Sequence, residues 1–223
     1  MSKQVLVTLA CGDHLELHNL TGPILANYAK RWNMDYFPIL EILDPSRPAV
    51  WSKLRGIRRV LENYSKVTFI DSDAMILRSE KSIIDAVPAT FDFAWAKTKF
   101  NNSYVPNAGV MLFRKTKPAM RLLDLAYEQT DLIYDGWREQ AALYRILGYD
   151  DPREHPLEKR KINRQIEIQE EFLPETWNLT TNSVHIKSPH IRHFAGDPLI
   201  VKKLLILELI FRNFTASNLR RMG

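Results

Sequence analysis

The stretch Lys66-Val67-Thr68-Phe69-Ile70-Asp71-Ser72-Asp73 constrains this chain more than any other, because a short apolar run of β-forming residues ends in two carboxylates one residue apart. Val67, Phe69 and Ile70 suit a buried strand. A core strand that runs into Asp-Ser-Asp delivers both acids to one edge of a sheet. In open α/β sheets, ligands bind beyond the carboxyl ends of the strands. Two carboxylates placed there suit a hard, oxygen-seeking divalent cation such as Mn2+ or Mg2+. The same three residues can equally cap a turn or the next helix, since Asp and Ser satisfy nearby backbone N–H groups. The rest of the chain has to decide between the two.

At 223 residues the chain suffices for one sizeable α/β domain and would cramp a second, so residues 1–223 are read as a single unit. Cys11 is the only cysteine, which excludes an internal disulfide framework. The apolar run 5–10 is too short for the core of a signal peptide, and with the lone cysteine it leads to the expectation of a cytoplasmic protein. A formal charge of +5 permits polyanions or anionic membrane surfaces as partners without requiring them. The basic residues cluster partly, at Lys53, Arg55, Arg58 and Arg59, at Lys97 and Lys99, at 159–161 and at Arg220 and Arg221.

In chain order, residues 4–10 read as a buried strand ending at Cys11-Gly12-Asp13, and a helix is expected over 23–32 with Thr21 as its cap and Pro23 in its first turn. Residues 35–40 form a second strand, so the opening strand-helix-strand unit predicts parallel pairing. A helix over 50–63 follows, with Leu54, Ile57 and Leu61 on one face. Beyond Asp73, an apolar continuation over 74–77, a short helix at 81–86, a strand at 91–96, a polar loop at 97–106 and a strand at 110–113 are expected. Helices over 118–129 and 138–147 come next, the second stopped by Gly148. A charged loop at 150–161 and short strands or loops at 166–168, 177–179 and 190–194 precede a last helix over 198–214. That helix is apolar almost all round, but Lys202, Lys203 and Glu208 interrupt it and rule out a membrane span. It reads as a packed helix closing the domain, with a dimer contact or a peripheral membrane contact as the alternatives.

Four segments place polar groups at the end of a strand or the start of a helix: Ala10-Cys11-Gly12-Asp13, Asp71-Ser72-Asp73, Asn107-Ala108-Gly109 and His193-Phe194-Ala195-Gly196. Gly109 and Gly196 suit positions where a ligand comes close to backbone. A metal on Asp71 and Asp73 needs further ligands, and of the six histidines only His193 sits between a short apolar strand and an Ala-Gly turn.

Together these segments resemble the signature of GT-A nucleotide-sugar glycosyltransferases of the glycogenin, galactinol synthase and bacterial lipopolysaccharide galactosyltransferase type. The resemblance runs through Trp51-Ser52-Lys53-Leu54, the Asp71-Ser72-Asp73 strand, Asn107-Ala108-Gly109-Val110, Glu139-Gln140 and His193-Phe194-Ala195-Gly196, in the family's order. It implies an α/β fold, a single GT-A (Rossmann-like) domain with a mostly parallel central sheet flanked by helices. Residues 1–113 would then be the nucleotide-sugar-binding half, and 114–223 the acceptor half with the C-terminal helix.

The resemblance also implies roles. Asp71, Asp73 and His193 would hold the Mn2+ or Mg2+ that bridges a donor diphosphate, with Ser72 between the two acids. Thr8, Leu9, Ala10, Cys11 and Asp13 would hold the nucleobase and ribose, and Lys53 would meet the phosphates or the sugar. Asn107, Gly109, Glu139 and Gln140 would surround the donor sugar, with Asn107, Glu139 and Gln140 the catalytic set and Gly196 against the phosphates. The implied activity is metal-dependent transfer of a hexose or pentose from a UDP-sugar to an acceptor hydroxyl with retention. The acceptor would be a glycan or lipid-linked, with a nucleic acid as the lesser alternative.

Two departures from the family pattern stand out. Asp197-Pro198-Leu199 replaces the usual Lys-Pro-Trp, so the phosphate clamp either differs or comes from Lys202 or Lys203, and Glu139 stands where relatives carry Asp. The competing classes are a sugar-nucleotidyltransferase, which would need a Gly-rich phosphate loop where residues 8–14 offer only Gly12, and a non-catalytic nucleotide-sugar-binding module.

Overall fold

Alternation along the strands decides the architecture. In β1 (Gln4–Leu9), Val5, Val7 and Leu9 enter one core cluster while Leu6 enters another. In β3 (Lys66–Ile70), Val67 and Phe69 go one way and Ile70 the other. In β6 (Ser103–Arg114), Met111 and Phe113 oppose Val110 and Leu112. Strands apolar on both faces need helices on both faces. The protein, seen in a computed structural model that describes residues 3–100, 103–151, 153, 164–181 and 186–221, is built that way.

The central sheet runs in the order β2-β1-β3-β6-β5-β7, adding β2 (Asp35–Ile39), β5 (Phe93–Phe100) and β7 (Glu170–Leu173). β1 pairs in parallel with β2 and β3, and β5 in parallel with β7, whereas β6 is antiparallel to both neighbours, so the sheet is mostly parallel. α1 (His14–Arg31) covers one face through Leu25, Tyr28 and Ala29. α2 (Ser52–Val60), α3 (Lys117–Tyr127) and α4 (Arg138–Leu147) cover the other through Leu54, Ile57, Leu122, Leu123, Leu143 and Leu147. A separate antiparallel pair, β4 (Ala74–Ile76) and β8 (Ile191–His193), lies beyond the end of β3. α5 (Leu199–Arg221) packs beside it on Leu17, Met75 and Phe194.

Several boundaries depart from the sequence expectations for physical reasons. α1 starts at His14 rather than near Pro23, which lies inside it, because burial of Leu17, Leu25, Tyr28 and Ala29 outweighs the hydrogen bond that proline removes. Thr21 is therefore no cap. Its hydroxyl sits mid-helix, within 3.1 Å of the Leu17 carbonyl and 2.8 Å of the Ser72 carbonyl. The polar loop expected over 97–106 is mostly the meeting of β5 and β6, since a ladder pairs backbone whatever the side chains are. The short helix expected at 81–86 is one 3-10 turn, Ile83–Ala86. Of the strand or loop expected at 166–168 the structure has the loop, with strand β7 following it, and the expected loop over 150–161 falls almost wholly outside the described residues. Gly148 does end α4, at φ 76°.

The Thr21 hydroxyl ties α1 to the turn that carries both carboxylates. Thr21→Val keeps the shape but leaves the buried Ser72 carbonyl without this donor, and should cost about 1–3 kcal/mol of stability, read as a lower urea midpoint.

Candidate functional site

β3 and β6 bring the first groups together. β3 ends at Ile70, and the next amide, Asp71, donates to the Gly109 carbonyl at 2.9 Å. On the other side of β6 the ladder jumps from Trp95↔Met111 to Ala96↔Asn107, leaving Ala108, Gly109 and Val110 as a bulge. Bulges re-aim side chains at the rim of a sheet. This one turns Asn107 and Gly109 toward the end of β3.

The β4–β8 pair then brings in the histidine. Ala74 stands opposite His193, and the Phe194 amide donates to the Asp73 carbonyl at 3.0 Å. His193 Nε2 thereby lies 3.2 Å from Asp73 Oδ1 and 3.9 Å from Asp71 Oδ2. Ligand atoms from Asp71, Asp73 and His193 all fall within 4.8 Å of one another. A Cβ on Gly109 would come within 2.1 Å of His193 Cε1, so no larger residue fits there with the imidazole in place.

His193 is oriented from behind. Its Nδ1 lies 2.9 Å from Asn178 Oδ1, and Asn178 donates through Nδ2 to Asn107 Oδ1 at 3.1 Å. Asn178 Oδ1 is thus an acceptor and Nδ1 donates to it, which turns Nε2 toward Asp71 and Asp73. Asn107 Oδ1 also accepts from the Gly109 amide at 2.9 Å. Gln140 Oε1 closes the chain by accepting from the Ala108 amide at 2.9 Å and from Asn107 Nδ2 at 3.4 Å.

Two lysines neutralise the acids. Buried Lys53, on α2, reaches Asp71 at 3.1 Å, Glu139 at 3.0 Å and the Ala108 carbonyl at 3.3 Å, which occupies all three of its donors. Burial works to lower the Lys53 pKa, but Asp71 and Glu139 outweigh it and hold the ammonium above its ordinary value. Glu139 is equally buried, and desolvation keeps its carboxyl above the usual range despite Lys53. Lys202, on α5, reaches Asp73 Oδ2 at 2.6 Å. Burial alone would raise Asp73, yet His193 and Lys202 together hold it well below the usual carboxylate range. Lys203, the other lysine offered by the sequence, points outward to Glu16.

A cavity of about 200 Å3 opens beside the acids, lined by Leu9, Cys11, His14, Val50, Asp71, Ser72 and Asp73 among others. Thr8 and Ala10 are buried in and just after β1, whereas Asp13 is exposed before α1. Neither Asp13 nor Gly196, at φ 80° after β8, lines this cavity. His14 does line it, with Nδ1 3.4 Å from the Ser72 hydroxyl, although nothing around it in sequence singles it out. Asn178 carries no stronger signal, being an amide between Trp177 and Leu179 in a segment expected to be a short strand or loop.

Two carboxylates and one imidazole, with the ring's far nitrogen already bonded, form a donor set that fits a hard divalent cation. Partners behind such ligands typically contribute 10–100-fold to metal affinity. Asn178→Ala should accordingly weaken Mn2+ binding by about that factor, measured by titration against the unchanged chain, while leaving Asp71 and Asp73 in place.

The fold recurs in solved glycosyltransferases. A glycosyltransferase involved in glycosylation of the major capsid of the virus PBCV-1 superposes with a TM-score of 0.69 at 14% identity, over 92% of this chain and 99% of that one. Galactosyltransferase LgtC, solved in complex with donor and acceptor sugar analogs, gives 0.57 at 10% identity over 92% and 95%. GlyE of Streptococcus pneumoniae TIGR4 gives 0.54 at 13% over 97% and 64%. No curated protein matches the chain in sequence. The profile of the nucleotide-diphospho-sugar transferases covers residues 46–198, from before Lys53 to beyond His193. The chain belongs to the nucleotide-diphospho-sugar transferase family and has the GT-A fold of its glycosyltransferases.

Proposed function

We propose that this glycosyltransferase moves a hexose or pentose from a UDP-sugar to an acceptor hydroxyl with retention, using Mn2+ or Mg2+ held by Asp71, Asp73 and His193. The observation that carries the reading is the convergence of these three groups at the end of β3, with the 200 Å3 cavity beside them. When bound, the cation supplies charge neutralisation for the departing nucleoside diphosphate.

The chain's own residues do the rest. The cavity between Leu9, Cys11, His14 and Val50 takes the nucleobase and ribose. Lys53 holds Asp71 and Glu139 side by side, and Lys202 provides the basic group beside the diphosphate that the missing Lys-Pro-Trp would otherwise supply. Asn107, Glu139 and Gln140, beside the bulge and in the first turn of α4, face the donor sugar. In the reaction the bond from the sugar C1 to the β-phosphate oxygen breaks. The acceptor oxygen bonds to C1 on the same face, and its proton passes to a donor phosphate oxygen. That route needs no separate general base, and Glu139, engaged with Lys53, is not required to be one. Glu139 and Gln140 stabilise positive charge developing on the sugar. The acceptor is a glycan or a lipid-linked glycan, with a nucleic acid as the lesser alternative.

Release of UDP from a panel of UDP-sugars, with Mn2+ present or chelated, tests this directly. Turnover should require the metal, and Asp71→Asn or Asp73→Asn should lower it by about 100-fold or more while the chain stays folded. Turnover that survives in either variant would sink the proposal.

A further inference from the structure

α5 has two apolar faces, and among the described residues only one of them is packed. Its inner face carries Leu199, Lys202, Leu205, Ile206, Leu209 and Ile210 against α1, β4 and β8. On the opposite face Ile200, Leu204, Leu207 and Phe211 are 61, 60, 47 and 68% exposed. At 3.6 residues per turn these four fall within a stripe about 60° wide. Scattered exposed leucines need no explanation, but a continuous row of large apolar side chains marks an interaction surface. In the sequence, Phe214 continues the spacing.

Charge selects the occupant. Outside the buried Lys202, the helix contains Lys203, which pairs with Glu16 of α1, together with Arg212, Arg220 and Arg221 against one acid of its own, Glu208. A second copy of α5 laid on the stripe would set these like charges against each other. An anionic lipid surface would attract them. Large apolar residues on one side and arginines toward one end make the pattern of a helix lying in the membrane interface. No helix among the described residues is long and apolar enough to cross a membrane.

We propose that the outer face of α5 docks on an anionic membrane surface. Resting on the transferase reading above, the docking also narrows the acceptor. Lys202 on the inner face touches Asp73, so the stripe lies on the order of 15–20 Å from the carboxylates, one helix diameter plus a lysine side chain. A donor pocket held that close to lipid headgroups suits an acceptor carried on a lipid anchor.

Co-sedimentation of the whole chain with vesicles of phosphatidylcholine, with and without phosphatidylglycerol, provides the test. The chain should pellet with the anionic vesicles, less so at high salt, and not with pure phosphatidylcholine. The double variant Leu204→Glu/Leu207→Glu should lose vesicle binding by at least about tenfold, and Arg220→Glu/Arg221→Glu should weaken it with the stripe intact. Circular dichroism and UDP release in solution should be unchanged in both, which shows that the fold survives. Failure of the unchanged chain to bind anionic vesicles, or binding by Leu204→Glu/Leu207→Glu equal to it, overturns the docking while leaving UDP release to judge the transferase reading. A dimer in sedimentation velocity that Leu204→Glu/Leu207→Glu converts to monomer would assign the stripe to a second copy instead.

Discussion

Two carboxylates at the end of a buried strand must be kept charged, and much of the structure follows from that demand. Removing an isolated carboxylate from water costs several kcal/mol even after relaxation, and only close partners with good geometry offset it. Here the partners come from opposite sides of the sheet. Lys53 rises from α2 on one face to Asp71, and Lys202 descends from α5, which packs on α1 over the other face, to Asp73. Helices distant in sequence are thus registered to one turn. The arrangement also explains why Lys53 and Lys202 are buried, since each compensates a charge that could not otherwise sit there.

The second organising feature is polar and runs along the sheet edge. His193, Asn178, Asn107 and Gln140 form one chain of hydrogen bonds, each side chain fixing the next. A half-satisfied buried network would be worse than an apolar core, so such a chain is worth having only when every member is partnered. The β6 bulge makes room for it by taking three residues out of the β5 ladder. At Gly109 the backbone passes so near the imidazole that a Cβ would overlap it, which ties the bulge to the histidine by sterics as well as by hydrogen bonds.

How much of this the sequence displays depends on range. β3, with Val67, Phe69 and Ile70 ahead of Asp71, is legible because its apolar run and its acids are contiguous. Gly148 is legible because a left-handed helix cap needs a residue without a Cβ. The start of α1 is not, because Pro23 reads locally as a first-turn residue and only packing against the sheet reveals that it lies mid-helix. The strands flanking residues 101–102 look like a polar loop because ladder hydrogen bonds leave no side-chain signature. Asn178 and His14 join the site through contacts 15 and 58 residues away, and a single sequence records no such pairing.

Charge arithmetic connects the resting site to the proposed chemistry. Counted as three carboxylates against two ammonium groups, Asp71, Asp73 and Glu139 with Lys53 and Lys202 carry one net negative charge. That is enough to hold the acids in place but repels a diphosphate. A bound divalent cation turns the balance to one net positive charge, and a neutral imidazole is the form in which histidine serves as a ligand. The two lysines therefore hold the site close to neutrality, where the cation's charge is sufficient to reverse it. With Lys53 or Lys202 absent, the same cation would leave no surplus positive charge for the diphosphate. Glu139 contributes to this setting from within the core, because its carboxylate shares the Lys53 ammonium with Asp71 and so limits how much positive charge the resting site shows.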